Sequence, residues 1–163
     1  MNQEQSAGAI KETLLALARA QDARDASGYR ACFADQVLID QPNIPGWKPS
    51  VISADDWTAM AMQHLKTFHR TRHTVSDFQI QMEGDDAVCS ARSRALHIMI
   101  ENGVENSWEA IGTFSLRFKR IGAKWLIVAR ALKVEQELGD LQMKYRAAEK
   151  AAAAPDDAGG RPS

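Results

Sequence analysis

The strongest constraint on this chain is a change of period. Up to about residue 69 apolar side chains recur at helical spacing; from His73 they alternate, as strands do, through most of what remains. Helices followed by a long run of hairpin-linked strands predict an α+β domain, its N-terminal helices packed on one face of a curved, mostly antiparallel sheet.

In the helical part, Ile10, Leu14, Leu17 and Ala18 form one apolar stripe, and the next turn of that stripe falls on Gln21 and Asp22. A carboxylate on a buried face is costly unless paired. Either a partner awaits Asp22, or it belongs to a helix-terminal turn with Asp25 that faces water. Ser27 reads as the N-cap of a short helix over 28–34, and Val37-Leu38-Ile39-Asp40 as a strand. The stretch 41–49, with three prolines and Gly46, predicts a loop that Trp47 anchors onto the core. Ser53 and Asp56 then open a third helix, whose apolar side runs through Trp57, Met60, Ala61, His64, Leu65 and Phe68.

In the alternating part, residues 73–82 form a strand whose phase breaks at Ser76-Asp77, which predicts a β-bulge. In the next strand, 87–100, Arg92 and Arg94 must face water, so Cys89, Ala91, Ser93, Ala95, His97 and Met99 share the opposite face. Most of those side chains are small, which leaves room for a ligand against the sheet. After a turn at Asn102-Gly103, the set Trp108, Ala110, Gly112, Phe114, Leu116 and Phe118 lines the core. Over 124–133 both faces are partly apolar, so one is expected to meet a second copy. Residues 134–145 read as an amphipathic helix completing a single domain over 1–145, and 146–163 as a disordered tail rich in Ala, Gly and Pro.

Charge and cysteine usage remove several function classes. Twenty basic against 21 acidic residues leave a net charge of -1, with no field to draw in nucleic acid or an anionic membrane. Cys32 and Cys89 lack metal-ligand spacing and are expected as reduced core residues, so neither a metal site nor a disulfide framework is expected. No apolar leader or bilayer-length run is present, and the chain is expected in the cytoplasm.

What remains is a set of three titratable side chains. His73 opens the first long strand, His97 lies on the inward face of the next, and Asp22 ends the helical stripe. Imidazole can take and return a proton near neutral pH, and a carboxylate beside it orients the ring, so the trio makes a candidate acid/base site.

Asp22 at its helix end, Tyr29-Arg30-Ala31-Cys32-Phe33-Ala34-Asp35 leading to Leu38-Ile39-Asp40, Arg70-Thr71-Arg72-His73, Ala95-Leu96-His97 and Lys124-Trp125 together resemble the SnoaL-like branch of the nuclear transport factor 2 superfamily, and within it the scytalone dehydratases. The resemblance runs from about residue 7 to 141 and rests on the order of the pieces. It implies a cystatin-like cone with a pocket between sheet and helices, working without metal or organic cofactor. It also implies that Asp22, His73 and His97 are catalytic, the histidine pair removing a proton alpha to a carbonyl and protonating the departing hydroxyl. Where that family has two water-holding tyrosines this chain has Gln21 and Gln41, and where it has a serine and an asparagine this chain has Gly112 and Phe114. A more apolar pocket follows, with Trp47, Phe68, Met99 and Phe114 among its walls. Family members form dimers or trimers, which implies a homo-oligomer.

The expected function is a cofactor-independent, dehydratase-like lyase acting on a small hydroxylated carbonyl ring compound such as a polyketide, steroid or aromatic-pathway intermediate. Two alternatives stand beside it: an isomerase or cyclase using the same base for enolisation, and a non-catalytic small-molecule-binding domain.

Overall fold

In a computed structural model of the protein, which describes residues 1–153, the first helix, α1 (Gln3–Ala23), starts at a capping box. Asn2 Oδ1 accepts the Gln5 N–H at 2.8 Å, and the Gln5 side chain accepts the Asn2 N–H at 3.0 Å. The stripe Ile10, Leu14, Leu17 and Ala18 is buried. The helix stops at Arg24, whose φ of 56° is left-handed, the conformation that ends many helices.

A five-residue helix, α2 (Ala26–Arg30), follows. Its cap is Asp25, not the expected Ser27, because the Asp25 carboxylate accepts the Gly28 N–H at 2.9 Å. The chain is already extended at Phe33, so the helix expected over 28–34 is cut short by strand β1 (Phe33–Asp40). β1 pairs antiparallel with a four-residue strand, β2 (Ser50–Ser53), which the sequence conceals between a proline-rich loop and a helix cap. Trp47 does anchor that loop: its indole N–H donates to the Ile39 carbonyl at 3.3 Å. Helix α3 (Ala54–Lys66) is capped by Ser53, which accepts the Asp56 N–H.

Four long strands complete the sheet: β3 (Arg70–Glu83), β4 (Asp86–Glu101), β5 (Val104–Ile121) and β6 (Lys124–Gly139). The order is β2-β1-β6-β5-β4-β3, antiparallel except where β1 runs parallel to β6. Between β4 and β5 the turn is Asn102-Gly103, both at positive φ, as a two-residue hairpin requires. The bulge expected near Ser76-Asp77 is present as a register shift between Ser76 and Gln79, with Asp77 at φ 53°.

The sheet curls around α1. Lys11 lies over the Phe78 ring on β3, while the Thr13 hydroxyl donates to the Trp125 carbonyl on β6. Those two strands are three places apart, about 14 Å in a flat sheet, whereas two residues of helix advance only about 3 Å. Helices on one face of a curled, mostly antiparallel sheet make the α+β cone.

β6 departs from simple alternation twice. One step on β5, Phe118 to Arg117, spans two on β6, Ile127 to Ala129; the same happens between Ile111 and Gly112, opposite Gln136 and Val134. Val128 and Glu135 are thus extra residues. The first moves the inward phase from Trp125 and Ile127 onto Arg130, which stands opposite the buried Leu116. The helix expected over 134–145 is corrected as well. Residues 134–139 continue β6, because the first half of β5 needs a ladder partner. The last helix, α4 (Met143–Ala153), starts later. Residues 146–153, expected in the tail, are therefore helical, and the remainder of that tail lies outside the described residues.

Packing divides into two clusters. The larger, including Leu14, Phe33, Trp57, Phe118 and Trp125, lies between the helices and the sheet. The smaller gathers Phe68, Met99, Trp108, Ala110, Met143 and Ala147, so that α4 closes one end of the cone. Cys32 and Cys89 are buried and unpaired, and burial pushes both thiols up to about 11, which keeps them protonated. No helix among the described residues is long and apolar enough to cross a membrane.

Candidate active site

β3 begins at Arg70, so Thr71 and His73 share one face of the strand. Thr71 pairs with His97 across the ladder and His73 with Ala95, which makes the two histidines diagonal neighbours. Their ring centroids are 5.9 Å apart at an interplanar angle of 82°. α1 delivers Asp22 to the same place from the other side.

Asp22 is fully engaged there. Its Oδ1 lies 2.7 Å from His73 Nδ1 and accepts the Thr71 hydroxyl at 3.1 Å; the His73 backbone N–H donates to Oδ1 at 3.1 Å and to Oδ2 at 3.0 Å. A carboxylate only accepts, so Nδ1 carries a hydrogen, and whenever the ring is neutral the lone pair is on Nε2. Burial pushes the Asp22 carboxyl up, but the bonds from the His73 ring and backbone, the His73 charge and the Thr71 hydroxyl outweigh it and hold the group below its ordinary value. The two readings of Asp22 are thereby decided in favour of a waiting partner.

Arg24 supports this arrangement from behind. Its Nη1 donates to Thr71 Oγ1 at 2.7 Å and to the Gln21 and Asp22 carbonyls at 3.1 and 3.3 Å, and Nη2 donates to the Phe68 carbonyl at 3.4 Å. Because Thr71 Oγ1 accepts from Arg24, its own hydrogen is directed at Asp22. The guanidinium also sits at the carbonyl end of α1, where a cation is favoured.

His97 is different in kind. It is 4% exposed, stacks on the Trp108 ring at 4.4 Å, and places Nδ1 3.3 Å from the Trp108 carbonyl. Burial first, and then the charges of His73 and His64, pull it down to about 3, so it is neutral in any ordinary buffer. Phe68 lies 4.6 Å from the same ring.

The expected pocket walls fall into two groups. Phe68 and Met99 belong to the cluster beside His97, whereas Trp47 and Phe114 pack with the larger cluster. Gln21 and Gln41 make no side-chain hydrogen bond among the described residues; their backbone carbonyls accept from Arg24 and from the Ile44 N–H. Three side chains were not anticipated. Thr71 was legible in principle, two residues from His73 on the same face. Arg24 depends on a left-handed helix end that no pattern signals. His64, on the apolar side of α3, lies 6.2 Å from His97.

A hollow of about 660 Å³ lies elsewhere against the sheet, lined by Leu38, Asp40, Val88, Arg117, Ala129 and Arg130 among others, and none of Asp22, His73 or His97 borders it. Among the described residues no three His, Cys, Asp or Glu side chains gather closely enough to hold a metal ion.

Comparison with known proteins agrees with this picture at the level of fold. No curated protein sequence matches the chain. The solved structure of Kfla4162 from Kribbella flavida superposes with a TM-score of 0.80 at 19% identity, covering 89% of this chain and 99% of that one. A provisionally assigned scytalone dehydratase from Novosphingobium aromaticivorans gives 0.70 at 15% identity over 82% and 86%. A hexachlorocyclohexane dehydrochlorinase, LinA type 2, gives 0.69 at 12% identity over 82% and 87%. Residues 5–131 match the SnoaL-like domain, and the chain belongs to that family.

Proposed function

We propose that the protein is a cofactor-independent lyase that removes water from a small hydroxylated carbonyl ring compound, with His73 as its base. The observation that carries this reading is the Asp22–His73 pair at 2.7 Å, braced by Thr71 and by a backbone N–H. His73 Nε2 takes a proton from the carbon alpha to the carbonyl. The electrons of that C–H bond form the new double bond as the C–O bond at the beta carbon breaks, and the imidazolium returns its proton to the departing oxygen, releasing water. Asp22 keeps the ring in the required tautomer and offsets its charge while it holds the proton.

His97 takes a narrower part than the resemblance implies. A ring held neutral, with Nδ1–H toward the Trp108 carbonyl, offers Nε2 only as an acceptor. It can receive a hydrogen bond from a ligand hydroxyl but is a poor acid for a leaving group, so one histidine makes both proton transfers. The names of two structural neighbours support elimination chemistry, since dehydration and dehydrochlorination both remove a proton and an adjacent leaving group.

The neutrality of His97 also favours a second reading, enolisation by the single base without loss of water, as in an isomerase or cyclase. Self-association belongs to the proposal too, through the outer face where Leu38 is 42% exposed beside the hollow; a monomer by light scattering at micromolar concentration would remove it.

The test is turnover of a panel of cyclic beta-hydroxy ketones, with absorbance of the conjugated enone as the readout. Wild type forms the enone and His73→Ala does not. Equal rates in both refute the base assignment. A shifted double bond or a closed ring, with the hydroxyl retained, selects the second reading. Binding without any conversion would leave a binding domain.

A further inference from the structure

Arg130 has no place in the chemistry above, yet the fold takes it inward. The bulge at Val128 sets it opposite Leu116 on β5 and Ile39 on β1, whose side chains are both buried. Its guanidinium carbon lies 5.2 Å from the centroids of both the Trp57 and the Phe114 rings. Two aromatic faces attract the charge but supply no lone pairs, so they leave the planar donors unsatisfied. Arg130 Nε is sealed from solvent with no hydrogen-bond partner, and no carboxylate among the described residues acts on the group.

Other donors stand beside it. The Trp57 indole N–H is buried and makes no hydrogen bond of good geometry, with the Tyr29 phenol the acceptor near it. The Tyr29 phenol, 1% exposed, lies close enough for the Arg130 charge to work against the upward push of burial on it. The phenol oxygen can accept from a neighbouring donor, but Arg130 Nε still has no lone pair to meet, and a donor walled by aromatic rings is costly to leave dry unless something with oxygen lone pairs arrives.

We propose that Arg130, with the Trp57 N–H and the Tyr29 hydroxyl, is the anchoring site for the carboxylate of a small aromatic or cyclic acid. A planar carboxylate matches the guanidinium fork with two parallel bonds, and the flanking Trp57 and Phe114 rings suit a flat hydrocarbon body. The anchor does not depend on His73 being a base. If both hold, the substrate is a carboxylated ring compound held at one end of the inner face, where Phe114 pairs with Ala91, and worked on at the other, where His73 pairs with Ala95.

Calorimetric titration of the full chain with benzoate and with its uncharged counterpart benzamide tests this. Wild type is expected to bind benzoate at least about tenfold more tightly than benzamide. Arg130→Met loses that preference and stays folded with no loss of stability, since it removes a half-buried charge that no described carboxylate neutralises. Trp57→Phe, which keeps the ring and drops the N–H, weakens benzoate a few-fold. His73→Ala, inactive by the earlier proposal, binds benzoate as wild type does, which separates failure of the anchor from failure of the base. Equal binding of the two probes by wild type, no benzoate binding at millimolar concentration, or an unchanged preference in Arg130→Met would each overturn the assignment.

Discussion

Replacing His97 by Gln should make the protein less sensitive to mild acid. In the folded state burial pulls this imidazole to about 3, against an ordinary value of 6.5. Above that ordinary value neither the folded nor the unfolded chain carries a proton here, and the residue contributes nothing to pH dependence. As pH falls below it, the unfolded chain takes up a proton that the folded chain refuses, so stability drops, and the drop ends only near the folded value. The slope in between is about 1.4 kcal/mol per pH unit, and integrating from pH 7 to pH 5 gives a loss of about 2 kcal/mol from this one side chain. Asp22 does not confuse the comparison, because its carboxyl titrates below its ordinary 3.8, outside the window, and is present in both proteins. Urea unfolding at the two pH values measures the effect. Gln cannot ionise but keeps an amide to face the Trp108 carbonyl. Its absolute stability is expected to be lower, for want of the stacked ring, while its change between pH 7 and pH 5 is smaller than wild type's by about 2 kcal/mol. Equal changes in the two proteins would mean that His97 is not held neutral by the fold, and the proposed division of labour between the histidines would go with it.

Thr71→Val removes the hydroxyl that receives Arg24 and braces Asp22; a stability loss of about 1–3 kcal/mol by urea unfolding is expected, restored in Thr71→Ser. Asp22→Asn keeps the shape but presents a donor where His73 needs acceptors, and turnover should fall roughly 10²- to 10⁴-fold with the circular dichroism spectrum unchanged. A methyl group added at Gly112 would lie 2.1 Å from the Lys133 carbonyl oxygen, so Gly112→Ala should cost about 1–3 kcal/mol and lower the melting temperature. An unchanged melting temperature would show that β5 and β6 do not approach as closely there as the register requires.

The parts of this fold legible in the sequence are those governed by local period. The α1 stripe, the β3 bulge, the inward face of β4 through His97 and the Asn102-Gly103 turn all follow from spacing and turn chemistry. The misread parts were settled by pairing at a distance. β2 is four residues long and exists because β1 needs a partner on its free side. Residues 134–139 carry Val134 and Leu138 at helical spacing, but half of β5 would lack a ladder partner without them. A weak local preference loses to a row of otherwise unpaired backbone groups.

The candidate site shows the same division more sharply. Asp22, His73 and His97 were visible because acid/base chemistry restricts residue types, and strand alternation then turned each histidine the right way. Arg130 was invisible for the reason that places it where it is. Read as unbroken alternation from Trp125 and Ile127, β6 puts Ala129 and Ala131 in the core and Arg130 in water opposite Ser115, an unremarkable surface position. The extra residue at Val128 reverses the side chains that follow, as far as the second extra residue at Glu135. A bulge costs a ladder bond, and here it also turns inward a half-buried cation that no described carboxylate neutralises. Two costs at one point of a strand are hard to explain by packing alone, since the unbulged register would fill the same space with alanine at no electrostatic penalty. The bulge makes physical sense if the arginine it turns inward is there to meet a charge that arrives from outside.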